Sequence, residues 1–103
     1  MEYVFIGWYN DPKENHDKVW GIIKLKEGTD GRWGEHDYVS FWGRRGKKLQ
    51  TKMIKDVAWH IEDVINKKVQ KGYRGIDYEN LNVVYPKFQQ DLEKTAFWAM
   101  FKV

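Results

Sequence analysis

Between Asp56 and Gly72 the apolar residues Val57, Ala58, Ile61, Val64, Ile65 and Val69 recur at helical spacing, and this more than any other feature narrows what the chain can fold into. An amphipathic helix has one face to bury and needs a second layer to bury it against. Asp56 is expected to be its N-cap, and Gly72 to end it through a left-handed conformation. Lys67, Lys68 and Lys71 fall in its last turn, where positive charge suits the helix dipole.

The second layer is written upstream. Tyr3 to Tyr9, Val19 to Leu25, Tyr38 to Trp42 and Leu49 to Ile54 are short runs rich in β-branched and aromatic residues, and each reads as a strand. They are separated by the turn-forming stretch Asn10-Asp11-Pro12 through Asn15, by the glycine-containing loop Glu27 to Gly31, and by Gly43 to Gly46. Strands joined so closely pair as antiparallel neighbours. The expected fold class is therefore α+β, a small antiparallel sheet of about four strands with a helix packed across it. Beyond Tyr73 the pattern is irregular as far as Pro86, which is expected in the first turn of a C-terminal helix that turns Phe88, Leu92 and Ala96 inward. Ala96 to Val103 is apolar enough to continue that helix or to add a strand, and so short a run leaves both open.

At 103 residues the chain suits a single domain built on one modest core. No apolar run approaches the length of a membrane span, and Met1 to Asn10 lacks the pattern of a signal peptide, so an intracellular protein without membrane attachment is expected. The absence of cysteine excludes disulfides, thiolate metal ligands and cysteine nucleophiles. His16, His36 and His60 are scattered, with no spacing typical of a metal site. The neighbouring carboxylates Glu62 and Asp63 diverge on a helix and suit a solvated face better than acid–base work. With no phosphate-binding loop, nucleotide fingerprint or nucleophile elbow, the chain is expected to be neither an enzyme nor the holder of a metal, cofactor or small-molecule substrate.

Charge is distributed unevenly. Residues 44 to 74 carry ten basic side chains against three acidic ones, whereas residues 10 to 37 are slightly acidic. A polyanion is the partner such a stretch favours, although solvated lysines on a helix face are the commoner explanation of any one of the charges. The densest part is the hairpin around Trp42, Gly43 and Arg44, with Arg45, Lys47, Lys48 and Lys52 close by. An indole offers a stacking surface indifferent to base sequence, a guanidinium forks onto phosphate oxygens, and glycine lets a backbone approach closely. The competing reading buries Trp42 in the core, since a chain with six tryptophans must bury several. For Tyr73 and Tyr85 a packing role is the expected one.

The order Trp42-Gly43-Arg44, then Gly46 and Gln50, then a helix closing on Lys71-Gly72-Tyr73, resembles the WGR domain. Upstream, Asn10, Asn15 and Lys18-Val19-Trp20-Gly21-Ile22 are similar to that family's Asn-rich loop and second strand. The resemblance covers about residues 3–73, leaving 74–103 as a C-terminal extension expected to pack on the domain. Two positions depart from the pattern: Arg45 replaces an aliphatic residue, and Leu49 replaces a glycine. The resemblance implies a DNA-binding module of DNA-dependent poly(ADP-ribose) polymerases, without activity of its own, that holds DNA near a break and touches neighbouring domains. It implies stacking of Trp42 on a terminal sugar and contact of Arg44 with DNA; together with Gly43, Arg45, Lys47, Lys48 and Lys52, which the chemistry of the hairpin adds, they form the expected nucleic-acid site. The alternative is a protein-interaction adaptor or inhibitor that uses the same Trp and Arg surface to bind a nucleic-acid enzyme, since those residue types also dominate protein interfaces.

Overall fold

A computed structural model describes residues 2–25, 34–95 and 98. Five strands form one antiparallel sheet: β1 (Glu2–Asp11), β2 (His16–Lys24), β3 (Glu35–Arg44), β4 (Gln50–Val57) and the two-residue β5 (Arg74–Gly75), in the order β4-β3-β2-β1-β5. Among the described residues it is joined by the helices α1 (Ala58–Lys71), α2 (Tyr78–Val84) and α3 (Phe88–Glu93). The α+β class inferred from the sequence is the architecture observed, with a fifth strand added where β1 recruits the chain leaving α1.

The helices cover both faces of the sheet. On one face Trp20, Ile22 and Tyr38 pack with Ile61 of α1 and with Tyr73 just beyond it. On the other, Ile6, Val19, Ile23 and Phe41 pack with Leu81 of α2, with Phe88 and Leu92 of α3, and with Trp98. Side chains alternate across a strand, so a strand buried on both sides must be apolar or, as at Ser40, small with its hydroxyl donating to a carbonyl, that of Lys52. Val19 to Ile23 and Tyr38 to Phe41 are indeed buried at every position. Gly21 sits in the middle of β2 because the Phe41 ring lies across it, where an added Cβ would stand only 2.2 Å from Phe41 Cζ.

A bulge at Val4 lets β1 serve both faces. Tyr3 pairs with Ile23 and Phe5 with Ile22, so one extra residue intervenes and the alternation resets. Tyr3 therefore stacks on Tyr78 of α2 at 5.2 Å, whereas Phe5 meets Trp20 on the α1 side at 6.0 Å.

Several boundaries differ from those the sequence implies. The first turn of α1 begins after Val57, which is the N-cap and makes no side-chain cap. Asp56 lies in β4 instead, accepting from the Val57 N–H and paired with His60 Nδ1, because sheet pairing with His36 holds its backbone extended. Val57 is thus a strand residue, and Ala58 and Val69 are exposed, leaving Ile61, Val64 and Ile65 as the packed stripe. Gly72 does end the helix, with φ 128° and its N–H donating to Lys68 and Val69 carbonyls, and the Tyr9 ring packs where a side chain would stand.

The stretch after Tyr73, irregular by sequence, contains α2, capped by the Asp77 side chain on the Asn80 N–H at 2.8 Å. Seven residues carrying one fully buried Leu81 give too few turns for helical periodicity to register. Pro86 precedes α3 rather than opening it, since the N-cap is Lys87. Phe88 and Leu92 face inward as expected, whereas Ala96, the Glu27–Gly31 loop and the rest of 96–103 apart from Trp98 lie outside the described residues.

If α2 closes the second face as described, Leu81→Ala will lower unfolding free energy in urea by about 2–5 kcal/mol, and Val83→Ala, whose side chain is 78% exposed, by less than about 0.5 kcal/mol. Equal effects would mean that the helix does not pack through Leu81.

Candidate functional site

Because α1 leaves the edge strand β4 and ends beside Tyr9 of β1, it crosses the sheet and leaves uncovered the corner of its face nearest the β3–β4 turn. There a cleft of about 400 Å³ opens, with Trp20 and Trp42 in its floor and Lys18, Arg44, Lys68, Lys71 and Tyr73 around it. Each strand contributes by alternation: His16, Lys18 and Trp20 from β2, and Ser40, Trp42 and Arg44 from β3. The last turns of α1 contribute the two lysines.

Trp42 stands between the core and the open cleft. It lies opposite Trp20 in the β2–β3 register and packs against the Ile61 and Tyr73 cluster, yet is only partly buried and lines the cleft. Gly43 also lines the cleft, and a Cβ there would stand 3.1 Å from both the Lys48 carbonyl and Leu49 Cδ2, so its close packing is with its own hairpin.

The two arginines point to opposite faces. Arg44 is exposed at the cleft, its Nη1 donating to the Asn15 main-chain oxygen and its Nη2 to Asn15 Oδ1, each at 3.0 Å. Arg45 lies on the far side. Its Nε and Nη2 hold Asp17 Oδ2 at 2.9 and 2.8 Å, its Nη1 donates to the Val84 carbonyl at 2.8 Å, and its guanidinium lies 5.5 Å from the Trp8 ring. Its Nε and Nη2 are thereby engaged on β2, and its Nη1 joins the hairpin to the end of α2. The turn between them fixes this divergence: Lys47 N–H donates to the Arg44 carbonyl at 2.9 Å, and Gly46 takes φ 83°, which a β-turn of this kind demands at its third residue.

Of the remaining expected site residues, Lys47 and Lys48 do not reach the cleft. They border a separate cavity of about 340 Å³ with Leu49, Asp91 and Lys94, next to α3. Lys52, exposed on β4, pairs in register with Ser40 and so stands on the cleft face at its edge. The structure thus brings together Trp42, Gly43 and Arg44, sets Lys52 beside them, and directs Arg45, Lys47 and Lys48 elsewhere.

Lys18, Lys68 and Lys71 take the vacated places. Lys68 Nζ lies 5.3 Å from the Trp20 ring centre and 5.8 Å from that of Tyr73, and Lys18 Nζ lies 5.4 Å from that of Tyr9. Partial burial lowers the Lys68 pKa below its ordinary value, and the positive charges of Lys71 and Lys18 lower it further. The aromatic faces act in the opposite sense by favouring the ammonium form. Among the described residues none of these three lysines makes an ion pair. Asp17 borders the cleft, but one oxygen accepts from Trp8 Nε1 at 2.8 Å and the other holds Arg45.

The sequence did carry a signal for these lysines. Lys18 is two residues before Trp20 on a strand, and Lys68 lies on the helical stripe of Ile61, Val64 and Ile65, where a charge is unusual. Tyr73 and Tyr85 are buried, as the packing role requires. Among the described residues no three histidine or acidic side chains cluster as metal ligands, and no helix is long and apolar enough to cross a membrane.

No protein-family model matches the chain, and neither a curated protein nor a solved structure does. The chemistry of the cleft therefore has to be argued from the cleft itself.

The Arg45 clamp is checked by stability. Arg45→Ala leaves Asp17 Oδ2 and the Val84 carbonyl without this donor and is expected to cost about 1–3 kcal/mol in chemical denaturation. Lys47→Ala/Lys48→Ala is expected to stay within about 0.5 kcal/mol of the parent.

Proposed function

We propose that this chain is a nucleic-acid-binding module, resembling a WGR domain, that takes an end, a nick or a single-stranded portion of DNA into the cleft on the α1 face. The observation that carries the reading is the convergence of four cations, Lys18, Arg44, Lys68 and Lys71, with Trp20, Trp42 and Tyr73 on one concave surface. A phosphodiester chain needs cations without carboxylate partners, and a base or sugar needs an exposed aromatic plane. The cleft presents both.

Arg44 contacts a phosphate with the donors Asn15 leaves unused, and the open part of Trp42 stacks on the adjoining sugar or base. Lys18, Lys68 and Lys71 hold a second phosphate, and Lys52 extends the cationic track along β4. The two departures from the WGR pattern have a local cause. Arg45 is tied to the end of α2, and Leu49 is buried with Leu81, Phe88 and Leu92, so both serve the layer formed by α2 and α3. Both side chains point to the face opposite Trp42 and Arg44. Reading this module as non-catalytic leaves any reaction to a partner.

A protein partner is the second reading, favoured by Trp59, which is 72% exposed on α1 beside His60. It would be preferred if association with a candidate nucleic-acid enzyme survived nuclease treatment and required Trp42 and Arg44.

Titration of labelled single-stranded, blunt and nicked DNA at several salt concentrations tests the proposal. Log affinity is expected to fall linearly with log salt, and Lys68→Ala or Lys71→Ala to flatten that slope by about 0.7–0.9 each. Trp42→Ala/Arg44→Ala is expected to abolish binding with circular dichroism unchanged, and Lys47→Ala/Lys48→Ala to leave it near wild type. Binding that ignores salt, or that depends on Lys47 and Lys48 rather than the cleft, would overturn the assignment.

The pH dependence has a definite sign. An anion beside Lys68 stabilises its ammonium form and raises the depressed pKa, so binding takes up a proton once the free protein begins to lose it. Affinity is therefore expected to decline as pH rises through the lowered Lys68 pKa. Lys68→Arg should remove that decline, because a guanidinium stays charged throughout.

A further inference from the structure

Asn15 does not line the cleft, yet it fixes the position of a cation that does. Among the described residues it is the only non-glycine residue with a positive φ, at 56°. It closes the 3-10 turn Pro12–Glu14, its N–H donating to the Pro12 carbonyl at 3.4 Å, while Asp11 caps the start of that turn through the Lys13 N–H at 3.2 Å. Pro12 restricts the first residue of the turn. In this left-handed conformation, which asparagine tolerates better than most residues, the main-chain oxygen and Oδ1 of Asn15 receive the two terminal nitrogens of Arg44 together.

The same corner secures the next residue. The Asp17 carbonyl accepts the Arg45 N–H at 2.9 Å, and the Asp17 carboxylate holds the Arg45 guanidinium. Asparagine and aspartate, two residues apart, therefore treat two consecutive arginines differently. Asp17 neutralises Arg45. Asn15 holds Arg44 with neutral acceptors, leaving its full charge and three of its five N–H donors available. Hydrogen bonds this exposed add little to folding stability, but a two-point hold on a long side chain removes rotamer freedom that binding would otherwise have to remove.

We propose that Asn15 is a positioning residue for polyanion recognition: its left-handed backbone and amide oxygen preorganise the Arg44 guanidinium at the mouth of the cleft without cancelling its charge. The proposal rests on the nucleic-acid reading of the cleft. The rival role is that of a turn-former alone, in which Arg44 is incidental.

Asn15→Gly separates the two, since glycine keeps the left-handed backbone and the main-chain oxygen while removing Oδ1. The ligand-free readout is the ¹⁵N order parameter of Arg44 Nε by NMR. It is expected to be high in the wild type, to drop in Asn15→Gly, and to stay high in Asn15→Asp, which retains an acceptor.

The second readout is affinity for a 3′-fluorescein-labelled single-stranded oligodeoxynucleotide. Asn15→Gly is expected to weaken binding about 3- to 10-fold in the wild-type background and to have no effect in an Arg44→Ala background. Asn15→Asp is expected to weaken it as well, by neutralising an arginine that stays ordered. An unchanged Arg44 order parameter in Asn15→Gly, or an equal loss of affinity in both backgrounds, would overturn the proposal. If the wild type binds no oligonucleotide, the nucleic-acid reading fails, while the order parameter still decides whether Asn15 holds Arg44.

Discussion

The constraint on which the rest depends is that one short sheet is buried on both faces by helices from the same chain. Its central strands, β2 and β3, have no solvent-facing side along their middle, so every residue from Val19 to Ile23 and from Tyr38 to Phe41 must find a neighbour above or below. This is why Gly21 lies under Phe41, and why β1 carries a bulge that sends Tyr3 and Phe5 to opposite layers. Charged side chains of these two strands are pushed to the strand ends. The end of the sheet at the β3–β4 turn is where they gather with a concave surface beside them.

At that corner, short-range geometry decides electrostatics. The β3–β4 turn sends Arg44 and Arg45 to opposite faces, and the Asn15 to Asp17 segment meets each with a different acceptor. One arginine becomes part of the framework that joins the hairpin to α2. The other stays charged beside Trp42. The lysines at the end of α1 complete a cationic cleft because the helix, in crossing the sheet, stops short of covering it. The site and the fold thus share their causes, and the conditions that leave Trp42 half-covered are those that bury Trp20 beneath Lys68.

How much could be read in advance varied with the length of the pattern. The strands and α1 were legible because each carries enough alternating or helically spaced apolar residues to define a period. Asp56 misled because N-cap preference is a local tendency of about 1 kcal/mol, and sheet pairing with His36 overrode it. Short α2 escaped notice because Leu81 is its one fully buried residue. Trp42, Gly43 and Arg44 were found through a local motif and do share a surface. Lys18, Lys68 and Lys71 were not gathered with them, since they come from elements about 50 residues apart in sequence and only packing brings their charges together.

The sequence by itself determined the α+β class, the number of long strands, the amphipathic helix that follows them, and the presence of a basic, aromatic hairpin. These follow from periodicity and composition, which act over a few residues. Only the tertiary structure decided which of the hairpin's cations face the cleft and which serve the framework. Adjacent side chains on a strand or turn point in opposite directions, and whether a given direction meets a carboxylate, a helix end or open space depends on segments far away in the chain. Arg44 and Arg45 are neighbours in sequence, and the difference between them is the difference between Asn15 and Asp17.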